Sequence, residues 1–261
     1  MATKMPRNSS GTVGSIDPAK YAVSEPLNFI EQYREFCANE IEQALKELGK
    51  IKVANNRVHL QKLVYTNLVN RFDSLVDNLV LWFSINNGTI RSEILKDLKD
   101  EPIDRKDVFE LFIMREKVFG FLNEKIKSLA TTNLLRDRHS KKVQKILSKA
   151  LKWEEKEYLK SRVYEDGKIY NTRRGNKRQP NSIIGYADWL YSRRNSIVHG
   201  DGIHYIEQDY THIRKNFASG LPKNFRLQLP SITAATTFYI DLLKLVEDTL
   251  SRSLENLDDS K

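Results

Sequence analysis

Cysteine occurs once in the chain, at Cys37. A single thiol excludes an internal disulfide framework and a cysteine-rich zinc site, and it fits a reducing compartment. No run of apolar residues approaches the roughly 18 needed to span a bilayer, and the first residues carry no apolar leader core. The expectation is a cytoplasmic protein with no membrane association. No glycine-rich phosphate loop, no Gly-x-Ser-x-Gly elbow and no internal repeat is present, which removes the commonest nucleotide-binding and esterase signatures. Histidines number five. His199, His204 and His212 lie close in sequence but lack the i, i+4 pair of a zincin, so neither a metal nor a cofactor is expected. Acidic residues are also short: 34 Asp and Glu face 43 Lys and Arg, a net charge of +9. That balance points to a polyanionic partner, most simply nucleic acid.

What is present is helical periodicity. Strand patterns are few, and the pattern predicts an all-α fold, an antiparallel helical bundle with extra helices and one irregular insertion. Residues 1–24 are small and polar and read as a disordered tail. Residues 25–255 read as a single helical domain, and 256–261 as an acidic C-terminal tail. Pro26 suits the first turn of an opening helix that ends near Gly49. A long helix over about Asn56 to Asn86 carries a core stripe widened by Val69, Val80, Leu81 and Trp82, which makes it central. Shorter helices follow over about Thr89 to Leu98 and Arg105 to Leu129, the latter burying Phe109. Residues 201–230 form a long connection with little periodicity, and Ser231 caps the last helix.

Two basic segments break this regularity. The helix within 134–159 carries Arg138, Lys141, Lys142 and Lys145 among seven cations between Arg136 and Lys152, opposed locally only by Asp137. Such a run is either a solvated face or an anion-facing surface. The insertion 160–181 has a small hairpin around Asp166-Gly167 and then Arg173, Arg174, Lys177 and Arg178. With Tyr164 and Tyr170 it offers stacking and phosphate contacts suited to single-stranded RNA, or equally a partner-binding or solubilising loop.

That loop leads into Tyr191-Ser192-Arg193-Arg194-Asn195-Ser196-Ile197-Val198-His199-Gly200, the last turns of a helix stopped by Gly200. Arg194 falls on the apolar stripe, between Leu190/Tyr191 and Ile197/Val198, so it is partly buried or in an interface, and a buried charge needs partners. His199 sits at the helix end, where the macrodipole favours a protonated ring. Asn195 is four residues before His199 on the same face, placed to hydrogen-bond its ring. Helix capping alone also accounts for an Arg, an Asn and a His at such a position. Asp73 and Asp77, four apart at the edge of the long helix's stripe, are either a solvated edge or partners of Arg194. His204 is five residues past His199, either at the surface or within reach of the site.

Arg194-Asn195-x-x-x-His199 resembles the R-x4-6-H motif of the HEPN superfamily, with a polar residue directly after the arginine and an Ile-Val-His-Gly ending. The resemblance extends over about Glu25 to Leu254, loosely outside the motif. It implies an HEPN-like bundle and a metal-independent endoribonuclease of a prokaryotic toxin or anti-phage defence system. It implies Arg194, Asn195 and His199 as catalytic residues, and an acidic or polar residue of an early helix beside Arg194, with Asp77 or Asp73 in that place. His199 would act as base or acid, Arg194 as phosphate clamp, and Asn195 would orient His199 or the substrate. Attack by the 2′-OH would give a 2′,3′-cyclic phosphate. One histidine cannot do both proton transfers at once, and the resemblance implies a homodimer with a composite site, together with an antitoxin or regulatory protein partner. The alternative is a non-catalytic HEPN-like module that binds RNA, nucleotide or a partner. A helical scaffold whose basic faces only bind nucleic acid is a third possibility.

Overall fold

The computed structural model describes residues 18–96, 118–133, 135–160, 162–170, 179–217 and 220–258, together with 106 and 109. Helix is the dominant structure, in agreement with the all-α expectation. The elements are α1 (Pro18–Phe36), α2 (Glu42–Lys50), α3 (Ala54–Asn86), α4 (Gly88–Lys96), α5 (Val118–Asn133), α6 (His139–Lys145), α7 (Glu155–Tyr158), α8 (Ile183–His199), α9 (Glu207–Ile213) and α10 (Leu229–Asp258). A π-turn at Cys37–Ile41 joins α1 to α2, and another at Ile146–Ala150 extends α6. Each inserts a residue into the turn and shifts the register, so Phe36, Cys37 and Ile41 all face the core.

The first helix begins at Pro18 rather than near Glu25, and Pro26 lies inside it. Pro18 occupies a first-turn position, where the missing N–H costs nothing, whereas Pro26 removes one rung that the helix bridges. The last helix likewise starts at Leu229, with Pro230 in its first turn and Ser231 already inside. Phe109, expected on a buried face, is 68% exposed.

The 33-residue α3 is the axis. Tyr65, Leu68, Val69, Phe72, Leu75, Val76, Leu79 and Val80 are all buried along it. Helices α1, α5, α6, α8 and α10 pack around it. Phe72 stacks on Tyr239 of α10 with ring centroids 3.9 Å apart, and Tyr33 of α1 meets Phe72 edge-on at 5.5 Å. Two buried tyrosines use their hydroxyls across the core: Tyr33 donates to the Leu68 carbonyl at 3.2 Å and Tyr65 to the Leu190 carbonyl at 2.8 Å. The second bond ties α3 directly to α8. An Arg34–Glu247 ion pair links α1 to α10. The segment Leu229–Arg252 is apolar and long enough by composition to cross a bilayer, contrary to the expectation of no such stretch, but half of its most apolar window is buried in the bundle. Core packing explains that apolar character.

The insertion begins as expected. Val163 and Ile169 form an isolated antiparallel bridge, closed by Gly167 N–H donating to the Tyr164 carbonyl at 3.0 Å. Its tip docks on α10. Gly167 has φ +86°, and a Cβ there would lie 1.8 Å from the Ala234 carbonyl oxygen. The remainder of the insertion, 171–178, lies outside the described residues.

Gly167→Ala therefore combines a left-handed backbone with a clash against main chain. It is expected to lose more than about 2 kcal/mol in urea denaturation. Gly49→Ala, in helix α2 with nothing near its Cβ position, is expected to gain about 0.5 kcal/mol in the same measurement.

Candidate functional site

Helix α8 carries the site because one of its faces is polar inside the bundle. Asp188, Ser192, Asn195 and His199 are spaced four, three and four apart, so they form a single stripe about 16 Å long. Ser182 opens the helix by accepting the Gly185 N–H at 3.0 Å. The Ser196 carbonyl closes it, accepting N–H bonds from Gly200 at 3.1 Å and Gly202 at 2.9 Å. The residue in the left-handed region is Gly202, φ +67°, rather than Gly200.

Two elements cover the stripe. Arg138, at the N-cap of α6, donates Nε–H to Asp188 Oδ1 at 2.5 Å, Nη1–H to Asp209 Oδ1 at 2.6 Å and Nη2–H to Ser192 Oγ at 2.8 Å. Helix α9 supplies Asp209 and also His212, whose Nε2 lies 3.1 Å from Asp188 Oδ2. Burial, with Arg138 and Lys215 adding to it, holds the His212 imidazole below its ordinary value against the pull of Asp188 and Asp209. Both carboxylates are buried, Asp188 to 1% and Asp209 to 6% exposure.

Arg194 stands beside this stripe, half-buried as its place on the apolar pattern predicts. Its Nε–H donates to Asn70 Oδ1 of α3 at 2.5 Å and its Nη1–H to Asn195 Oδ1 at 3.0 Å. The Asn195 amide then donates Nδ2–H to Asp209 Oδ2 at 3.0 Å. Among the described residues, Arg194 has no carboxylate partner. The adjacent Arg193 is the structural one of the pair. It is buried, its guanidinium lies 3.9 Å over the Trp189 ring, and its Nε–H reaches Tyr205 Oη at 3.4 Å. His199 is exposed at the helix end, and no hydrogen bond to its ring is present among the described residues.

Several expectations need correction. Asp73 and Asp77 do not meet Arg194. Lys142 Nζ donates to Asp73 at 2.9 Å and to Asp77 at 2.6 Å, and His139 Nδ1–H donates to Asp73 at 2.7 Å. The residue of α3 that reaches Arg194 is Asn70, one helical turn before Asp73. Asn195 does not orient His199, since its amide points to Arg194 and Asp209. Arg138 and Lys142 are not surface cations, because each is held by two carboxylates from distant helices. Lys145 pairs with Asp137 at 2.8 Å, while Lys141 stays 64% exposed at 4.0 Å from Asp137. His204 is bound to Asp201 at 2.6 Å on the exposed loop after α8. Arg173, Arg174, Lys177 and Arg178 lie outside the described residues. The connection 201–230, expected to be irregular, contains α9. Its Ile206, Tyr210 and Ile213 at i, i+4 and i+7 were the signal. Asn70, Asp188, Asp209 and His212 are the site residues that sequence reading missed.

The arrangement offers one guanidinium with an uncompensated charge, one exposed imidazole, and a rigid polar network behind them. Among the described residues no group of three or more His, Cys, Asp or Glu side chains is arranged to hold a metal ion.

The Asp73 cluster has a pH signature. Burial pushes its carboxyl up, but the hydrogen bonds and charges of His139 and Lys142 outweigh this and hold it at about 2. A depressed folded-state value stabilises above the unfolded value near 4 and is lost as pH falls through about 2. Asp73→Asn is therefore expected to cost about 2 kcal/mol at pH 7. The difference from wild type should shrink between pH 4 and pH 2 in thermal unfolding followed by circular dichroism.

No protein-family model matches the chain, and no curated protein and no solved structure matches it.

Proposed function

We propose that the protein is a metal-independent endoribonuclease of HEPN type that cleaves RNA through its 2′-OH. One observation carries the reading: the motif arginine is half-buried and, among the described residues, hydrogen-bonded only to neutral amide oxygens. Two other tethered cations nearby are answered by carboxylates, Arg138 by Asp188 and Asp209 and Lys142 by Asp73 and Asp77, while the buried Arg193 is closed off from solvent against Trp189 and Tyr205. A guanidinium anchored through Nε and Nη1 has a fixed plane and an Nη2 edge left for an incoming anion. A phosphodiester fits that edge, since the fork matches phosphoryl oxygens. His199 lies five residues further on, exposed at the helix end.

In the reaction a base removes the 2′-OH proton and the 2′-oxygen attacks phosphorus. The P–O5′ bond then breaks, and an acid protonates the leaving oxygen. Arg194 stabilises the charge on the phosphorane. The products are a 2′,3′-cyclic phosphate and a 5′-OH. His199 supplies one of the two proton transfers, and a second copy of the chain supplies the other. The surface around His199 suits such a homodimer. Val198 is 44%, Ile203 49% and Leu63 53% exposed, and Lys62 Nζ, 3.4 Å from the Asp201 carbonyl, brings the N-terminal half of α3 against this loop. Large apolar side chains exposed together mark interaction sites. A toxin or anti-phage defence role and an antitoxin or regulatory partner are proposed from the resemblance alone, and a cytoplasmic location from the single cysteine. The unanchored His199 ring favours the second reading, a non-catalytic RNA- or nucleotide-binding module of the same architecture.

Wild-type protein incubated with mixed single-stranded and structured RNA in EDTA should yield cyclic-phosphate ends. His199→Ala and Arg194→Ala should each lower the rate by about 100-fold or more. RNA binding without cleavage by the wild type would support the binding module instead. Val198→Asp and Leu63→Asp should convert a dimer to a monomer by light scattering and abolish cleavage with the helical circular dichroism unchanged. Cleavage by a monomer would overturn the composite site.

A further inference from the structure

We infer that Asp209 is a positioning residue for Arg194, acting through the Asn195 amide; the inference rests on the phosphate-clamp reading of Arg194. An asparagine amide has two unlike ends, and the end that faces a guanidinium decides between attraction and repulsion. At Asn195 nothing within the residue makes that choice. Asp209 makes it. An ionised carboxylate only accepts, so Asn195 can satisfy it only with Nδ2–H, at 3.0 Å, and this turns Oδ1 toward Arg194 Nη1, at 3.0 Å. The carboxylate is itself fixed, because its other oxygen accepts from Arg138 Nη1 at 2.6 Å and the residue is 6% exposed. Orientation passes from Arg138 to Asp209 to Asn195 to Arg194 without placing a negative charge on the clamp. A carboxylate in direct contact with Arg194 would orient it as well, but it would neutralise the charge that holds the phosphate. Interposing a neutral amide separates the two effects.

The chain makes a specific statement about Asp209→Asn. The charged Arg138 keeps an oxygen of the new amide, so its NH2 end faces Asn195. Asn195 then turns Oδ1 toward residue 209 and presents NH2 to Arg194, and the clamp loses one of its two tethers. Asn195→Ala breaks this chain while sparing the Arg138–Asp209 ion pair, at a position that is not fully buried.

The test is a binding cycle with a fluorescein-labelled single-stranded RNA made of 2′-O-methyl nucleotides, which lacks the attacking hydroxyl and stays intact. Fluorescence anisotropy should show Arg194→Ala weakening binding about tenfold, and Asp209→Asn and Asn195→Ala each about fivefold, within the range of coupled contacts. The double variants Arg194→Ala/Asp209→Asn and Arg194→Ala/Asn195→Ala should bind no more weakly than Arg194→Ala alone. Losses that multiply in the double variants, or wild-type binding by Asp209→Asn beside a weakened Arg194→Ala, would overturn the inference. If Asp209→Asn does not fold, Asn195→Ala decides by the same comparison. Arg194→Ala binding as wild type would remove the phosphate-clamp reading itself, and the inference with it.

Discussion

Arg138 forks into two buried carboxylates, and the geometry of the site hangs on that fork. Its three nitrogen donors reach Asp188 and Ser192 on α8 and Asp209 on α9, residues 50, 54 and 71 positions away in the chain. Two carboxylates in a half-dry groove would repel and desolvate at a cost of several kcal/mol each without a cation between them. With the guanidinium in place, the start of α6, the motif helix and the short α9 are locked in one arrangement. Removing one partner of such a buried pair costs about 3–5 kcal/mol, because the other charge is left unanswered. The basic run that begins near Arg136 therefore owes part of its composition to internal structure rather than to an external partner.

Against that background Arg194 differs in kind. A hydrogen bond from a charged donor to a neutral amide is worth about 1.5–3 kcal/mol, enough to hold a side chain in place. It does not cancel the charge, as a carboxylate contact does for Arg138 and Lys142. Two neighbouring arginines, 193 and 194, illustrate the division. Arg193 is sealed over Trp189 and Phe225 and pins the loop after α8, whereas Arg194 is tethered at one edge and open at another. A guanidinium without a carboxylate partner among the described residues, open at one edge, and a buried structural one thus sit one residue apart, separated by the 100° turn of the helix.

The helical class, the central place of α3, the turn at Asp166-Gly167 and the motif helix with its polar end were all legible in the sequence. So was the half-buried place of Arg194. The partners of the polar residues were not. Asp73 and Asp77 looked available to Arg194 because they sit on the correct helix, yet they lie one and two helical turns from Asn70, the residue that makes the contact. Lys142 takes both carboxylates instead. Arg138 and Lys142 looked like surface cations because the acids that answer them lie on other helices. Helix α9 was hidden by its brevity, since a seven-residue helix shows barely two periods of an apolar pattern.

The sequence by itself determined what is set within a turn or two of the chain. Helical periodicity, the inward side of the long central helix, the four-residue relation of Asn195 to His199 and the excess of positive charge all follow from local spacing and composition. The tertiary structure alone decided which charges are neutralised. That outcome depends on contacts between residues up to 213 positions apart, and the identity of a buried cation's acceptor is fixed by how the helices rotate and slide against each other, to within about a single turn. Coulomb energy and hydrogen bonding fall off over a few ångströms, so a shift of one turn is enough to exchange Asn70 for Asp73 and a neutral hydrogen bond for an ion pair.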